Sequence, residues 1–273
     1  YHEQWTLGVE QQMAPGWVLG MDYVGSHTLR IVRPLDVDPP TSFVRTQPGQ
    51  VRSAQAANCT RPYWVEWYAE QGLTCDPVKN AGPTPPYAMI QSDVNDGVAY
   101  YEALDANLSH RSARGSWLLA SYTWSHAIDT VDPDVPQQNP NDARNSVAAE
   151  RGNAIFDQRN RFVLSGAYAA PWGITMGGMA TLAGGLPYNV VTGVSNSGDT
   201  GATTDRPVVN GAVMGRNTGR GTAIYRVDPF IGKRIALTEK VHANLRAEAF
   251  NVLNHRNVVG FSGTWGNGAT PGN

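Results

Sequence analysis

The chain has 273 residues, 21 basic and 23 acidic side chains and a net charge of -2; only 16% of its residues are charged, while 9% are aromatic. This near-neutral balance argues against the basic face of a nucleic-acid binder and against a polybasic membrane-surface protein. The aromatic, low-charge composition argues against intrinsic disorder, and no run reaches the roughly 18 apolar residues of a transmembrane helix.

Alternation with a period of two recurs along the chain, and helical periodicity is almost absent. It marks eight candidate strands, at about 2–13, 17–31, 97–110, 116–128, 159–170, 174–185, 224–237 and 241–253. Each is about as long as a membrane-spanning β-strand requires. In the first, Trp5, Leu7 and Val9 oppose Gln4, Thr6, Gly8 and Glu10. Glycine and methionine blur the second. In the third, Leu104, Ala106 and Leu108 oppose Asp105, Asn107 and Ser109; in the fourth, Leu118, Ala120, Tyr122 and Trp124 oppose Ser121, Thr123 and Ser125. The fifth is weaker, with Phe162, Leu164 and Tyr168 against Arg161 and Ser165, and the sixth is blurred like the second. The seventh sets Val227 and Ile231 against Asp228 and Arg234. The eighth sets Ala243, Leu245, Ala247 and Ala249 against Asn244, Arg246 and Glu248.

The connections alternate short and long. Ala14-Pro15-Gly16, Ser112-Ala113-Arg114-Gly115, Pro171-Trp172-Gly173 and Thr238-Glu239-Lys240 have the composition of tight hairpin turns. Between them lie stretches of about 32–96, 129–158 and 186–223, rich in Pro, Gly, Asn, Asp, Ser and Thr. Structureless loops longer than about 12–15 residues are uncommon in compact soluble domains. Short turns at one end and long loops at the other are the plan of an outer-membrane barrel. In hydrocarbon every backbone N–H and C=O must be paired within the protein, so a sheet survives there only as a closed cylinder, apolar outside and free to be polar within. Trp17, Tyr23, Tyr100, Tyr122, Trp124, Phe162, Trp172 and Tyr225 lie near predicted strand ends, where interfacial aromatics belong. A large soluble β-sandwich also alternates; the short-long order of connections favours the barrel.

Several sequence stretches carry a family resemblance. They are Tyr23-Val24-Gly25-Ser26-His27, Tyr100 to Leu108, Ala120 to Asp129, Phe156 to Ser165 and Leu245 to His255. In this order they resemble the C-terminal barrel of TonB-dependent outer-membrane transporters, specifically the Oar-like group. The resemblance covers nearly all the strand sequence and little of the long loops. It implies an all-β, antiparallel up-and-down transmembrane barrel, filled in the intact protein by an N-terminal plug, with nutrient captured outside and uptake energised through the TonB complex. No plug or TonB box stands in this sequence, and it opens at Tyr1 in strand-like residues with no signal-peptide pattern. If the short turns are periplasmic, the eighth strand runs outward and one more must return. The expectation is therefore a single partial barrel domain over 1–273, cut at both ends, in the bacterial outer membrane. Its expected partners are outer-membrane lipid, the plug, the TonB complex and an unidentified nutrient, with no nucleic acid and no cofactor. A passive porin-like barrel and a soluble, secreted, carbohydrate-binding β-sandwich are the alternatives.

No GxSxG, HExxH, P-loop or GxGxxG-helix pattern is present, and the six histidines lack metal spacing, so no enzyme is expected. Asp105, Asn107, Asp228, Arg234, Arg246 and Glu248 form the expected lumen-facing set, to be paired with a plug or with adjacent strands. Cys59 and Cys75 share one polar, Pro-rich stretch without redox or zinc spacing; a local disulfide leads over two free thiols. Between them Tyr63, Trp64, Trp67 and Tyr68 are candidates for stacking on a ligand, or for packing the loop on its neighbours. Asp129, Asp132 and Asp134 are rich in oxygen, as is Asn196 to Gly201, but without an EF-hand pattern; a solvated loop is expected at each.

Overall fold

The computed structural model describes residues 1–41, 43, 52–79, 82–131, 147–192, 206–209 and 212–264. Eight long strands lie side by side in chain order. They are β1 (His2–Ala14), β2 (Trp17–Asp36), β3 (Gln91–Arg111), β4 (Trp117–Asp129), β5 (Asn160–Ala170), β6 (Ile174–Ala183), β7 (Ile224–Ala236) and β8 (His242–Glu248). All neighbours are antiparallel, and β1 and β8 are the two edges of an open sheet. The short strand Gly152–Asn153 adds to the loop end of β4. No second sheet covers either face among the described residues; the two other ladders are two-stranded pairs within the third long connection. A stacked sandwich is thereby excluded for this segment.

Register joins the separate alternations into one surface. Leu7 stands opposite Tyr23, Tyr23 opposite Leu104, and Leu104 opposite Trp124. One row further toward the turns, Ala106, Tyr122, Phe162, Leu182 and Tyr225 follow one another across five strands. This face stays bare: Leu7 is 73% exposed and Leu245 61%. Water does not favour so wide an apolar surface.

The turns follow from their residues. Gly16 and Gly115 have φ of 78° and 86°, and Trp172 and Gly173 have φ of 60° and 72°. Two successive left-handed residues make the primed turn whose twist suits a tight hairpin.

Three expected boundaries differ. β2 and β3 run on to Asp36 and back to Gln91 through two register shifts: Arg30, at φ 58°, is skipped on β2 between Leu29 and Ile31, and β3 spends one residue more than β2 between the pairs Ile31–Gly97 and Arg33–Val94. Each extra residue reverses the alternation on its strand, and the ladder continues past the point where the pattern breaks. β8 ends at Glu248, not near 253. Ala249 N–H donates to Pro229 O, but proline has no N–H to return, and Asn251 turns away at φ 49°. Finally, the first long connection is not structureless: it holds helices α1 (Ala54–Asn58) and α2 (Pro62–Glu70). Ser53 Oγ caps α1 by accepting from Ala56 N, and Pro62 occupies the first turn of α2.

Candidate functional site: the polar face and the loop-bearing rim

The second face of the sheet is polar. Asp105, Asn107, Asp228, Arg234, Arg246 and Glu248 all fall on it by register, opposite the apolar rows. Most of their partners lie within the sheet. Asp105 accepts from Thr123 Oγ1, and Asn107 Oδ1 accepts from Ser121 Oγ at 2.6 Å, both across the β3–β4 ladder. Asp228 pairs with Arg226 of its own strand at 2.7 Å and accepts from Asn251 N–H at 2.7 Å. Arg246 pairs with Glu248 and lies over the Phe230 ring, 4.0 Å from its centroid. Phe230 lies flat because Gly177 beside it has no side chain; a Cβ there would stand 2.8 Å from the ring. Arg234 is exposed beside Asn244.

Asp22, lost in the blurred second strand, faces Asp105 directly in register. Facing carboxylates repel. The only sign of it in the sequence was Gly8 opposite, whose Cβ would collide with Asp22 Oδ1.

The long loops meet at the other end of the strands in a network of buried charge. Asp157, just before β5, has a fully buried carboxylate. Its Oδ1 accepts from Ala127 N–H at 2.8 Å and lies 3.1 Å from His126 Nδ1. Its Oδ2 accepts from Arg159 Nε at 2.8 Å and Arg220 Nη2 at 2.6 Å. Arg159 Nη2 also reaches His126 Nε2 at 3.1 Å. A guanidinium can only donate, which suits an accepting Nε2 and a donating Nδ1 on His126. Burial pushes the Asp157 carboxyl up, but the Ala127 amide and then the Arg220, Arg159 and His126 hydrogen bonds outweigh it and hold the pKa at about 2.

Beside this hub Arg216 pairs with Asp129, both about 2% exposed or less, and donates to Glu150 O at 3.0 Å. Arg206 pairs with Glu150 at 2.7 Å. Asn153 and Asn217 exchange side-chain-to-backbone bonds of 3.1 and 2.8 Å. The second and third long loops are thus locked to each other. Asp129 is therefore an ion-pair member, not the solvated carboxylate expected; Asp132, Asp134 and the Asn196 to Gly201 stretch lie outside the described residues.

The first loop forms a separate cap. Arg61, fully buried, donates to Asp36 Oδ2 at 2.6 Å and to Asn58 Oδ1 at 3.0 Å. Asp38 Oδ1 accepts the free Tyr63 N–H at the start of α2, at 2.9 Å. Cys59 and Cys75 are joined as a disulfide, Cα atoms 5.4 Å apart. The four aromatics do not make one exposed patch. Trp64 and Tyr68 point inward, their Nε1 and hydroxyl donating to Tyr87 O at 2.7 Å and Pro83 O at 3.0 Å. Tyr63 and Trp67 remain half-exposed.

A membrane-length antiparallel sheet, with one bare apolar face, one hydrogen-bonded polar face, tight turns at one end and folded loops at the other, defines an outer-membrane barrel wall. The chain belongs to the outer membrane beta barrel domain family, which matches residues 1–214 and 212–273, and it resides in the outer membrane. Among solved structures it is similar to the outer membrane transporter YddB from Escherichia coli, with a TM-score of 0.54 and 9% identity over 93% of this chain. At that identity the likeness is one of fold, and the chain spans 29% of the transporter's length. No curated protein matches the chain.

Proposed function

We propose that this chain is part of the barrel of a TonB-dependent transporter, of the Oar-like group, that takes up a large nutrient with energy from the inner membrane. The observation that carries the reading is the open sheet: among the described residues eight long antiparallel strands lie in chain order with β1 and β8 as unpaired edges, as a segment of a larger barrel would. The likeness in fold to a much longer outer membrane transporter supports it. In this reading the polar face lines the lumen, where Asp105, Asn107, Asp228, Arg234, Arg246 and Glu248 meet a plug. The locked second and third loops and the disulfide-tied cap form the outer mouth, where ligand is captured, with Tyr63 and Trp67 as the cap's accessible rings. The transport role, as against catalysis, is supported by the family and by the fold shared with a transporter.

The test is transport by the full-length protein in cells. Uptake that stops when a protonophore collapses the inner-membrane gradient, together with a closed pore in planar bilayers, is the expected result. A large steady conductance and uptake indifferent to the protonophore would make it a passive porin.

A further inference from the structure

The apolar face is interrupted by a trough of about 660 Å³ toward its turn end. This volume is within the ~300–1,000 Å³ of small-ligand sites. Its floor is bare backbone. Gly166 of β5 and Gly178 of β6 stand opposite each other, in the row that runs from Leu118 to Pro229. Neither position has room for a side chain: a Cβ on Gly166 would stand 2.9 Å from Trp117 O, and one on Gly178 2.6 Å from Asp228 O. Leu164, Ala180 and Val227 wall the trough on the loop side, Tyr168 and Met176 on the turn side, and Leu118 flanks it in the glycine row.

At the turn the lining becomes polar, with Ser112, Arg114 and Ser116. The two serine hydroxyls accept backbone N–H groups, from Ser116 at 3.0 Å and from Ala169 at 2.9 Å, leaving each a proton to donate. Arg114 is exposed and forms no ion pair among the described residues.

We propose that this trough is a site for one anionic phospholipid, its acyl chain laid over Gly166 and Gly178 and its phosphate held at Arg114 and the turn serines. The location in the outer membrane supplies the chemistry. This face meets acyl chains, and a chain that drops onto a backbone floor gains contact on three sides, where elsewhere on the sheet it touches side-chain tips alone. The cation stands at the one end of the trough that reaches the interface, and guanidinium matches phosphate with paired donors. The charge and the groove therefore specify the same amphiphile, oriented head toward the turn. The inference depends on membrane location only and stands whether or not uptake is energised.

The experiment is native mass spectrometry of the full-length protein released from detergent, with palmitoyl-oleoyl phosphatidylglycerol and the matching phosphatidylcholine as competing probes. Wild type is expected to retain one lipid copy, phosphatidylglycerol several-fold over phosphatidylcholine. Ala180→Phe, which fills the trough from its wall, should lose that copy. Arg114→Gln, in an exposed turn where folding does not depend on the side chain, should keep a lipid but lose the headgroup preference. No retained copy in wild type, equal retention by Ala180→Phe, or unchanged preference in Arg114→Gln overturns the proposal.

Discussion

Asp157 concentrates the energetics of the rim in one side chain. Its carboxyl is fully buried and titrates near 2, below the usual 3.8. A depressed folded-state pKa means that the ionised form stabilises the fold. That contribution is complete above about 3.8 and is lost as pH falls toward 2; the shift amounts to about 2 kcal/mol. The Ala127 amide, which donates to Asp157 Oδ1, reports it. Its hydrogen-exchange protection is expected to fall between pH 4 and 2 in the wild type, relative to amides at the turn end. In Asp157→Asn it should already be low at pH 6 and flat below. Equal protection in both proteins would show that the carboxylate does not hold the rim.

At the scale of elements the loops are joined by pairs that are remote in the chain: Arg216 and Asp129 are 87 residues apart. Arg216→Ala leaves a carboxylate buried without its guanidinium and is expected to cost about 3–5 kcal/mol in the loops. Limited proteolysis should then cut both the second and the third connection. The double variant Arg216→Ala with Asp129→Ala should be cut less than the single one, because the buried carboxylate is removed together with the guanidinium that paired with it. The hairpins were legible in the sequence because their signals are local: alternation sets the faces, and Gly16, Gly115 and Gly173 set the turns. The extension of β2 was hidden, since a single skipped residue, Arg30, inverts the alternation. Helix α2 had left a trace in Pro62 and in Trp64 and Tyr68 at i, i+4, but nine residues among prolines carry little periodicity. The ion pairs of the rim had no sequence signal, because charge complementarity between distant loops has no period. The polar face was readable as a set of residues, though not its pairings: of the two kinds of partner expected, a plug or adjacent strands, those printed for Asp105, Asn107 and Arg246 lie within the sheet.

For the whole molecule the decisive property is the contrast between the two faces. Leu164 lies mid-span in β5 between Ala120 and Ala180, and Ser165 looks the other way, into a depression of about 270 Å³. Leu164→Arg should cost about 2–4 kcal/mol in urea unfolding from lipid vesicles, and Ser165→Arg about 1 kcal/mol or less. Leu245 is a poorer probe, standing opposite Lys233 near the turn end, where a charge reaches the interface. Equal costs at 164 and 165 would invalidate the assignment of faces.

The skipped Arg30 lets β2 reach 20 residues, roughly 66 Å at ~3.3 Å per residue. Tilted as such strands are, it climbs well past the ~25 Å apolar band that lipid covers. The disulfide-tied helix is thus hoisted on a two-stranded mast, clear of the headgroups. The buried Arg61–Asp36 pair fastens the cap to the top of that mast, so its accessible rings stand where strand length, and not loop sequence, puts them.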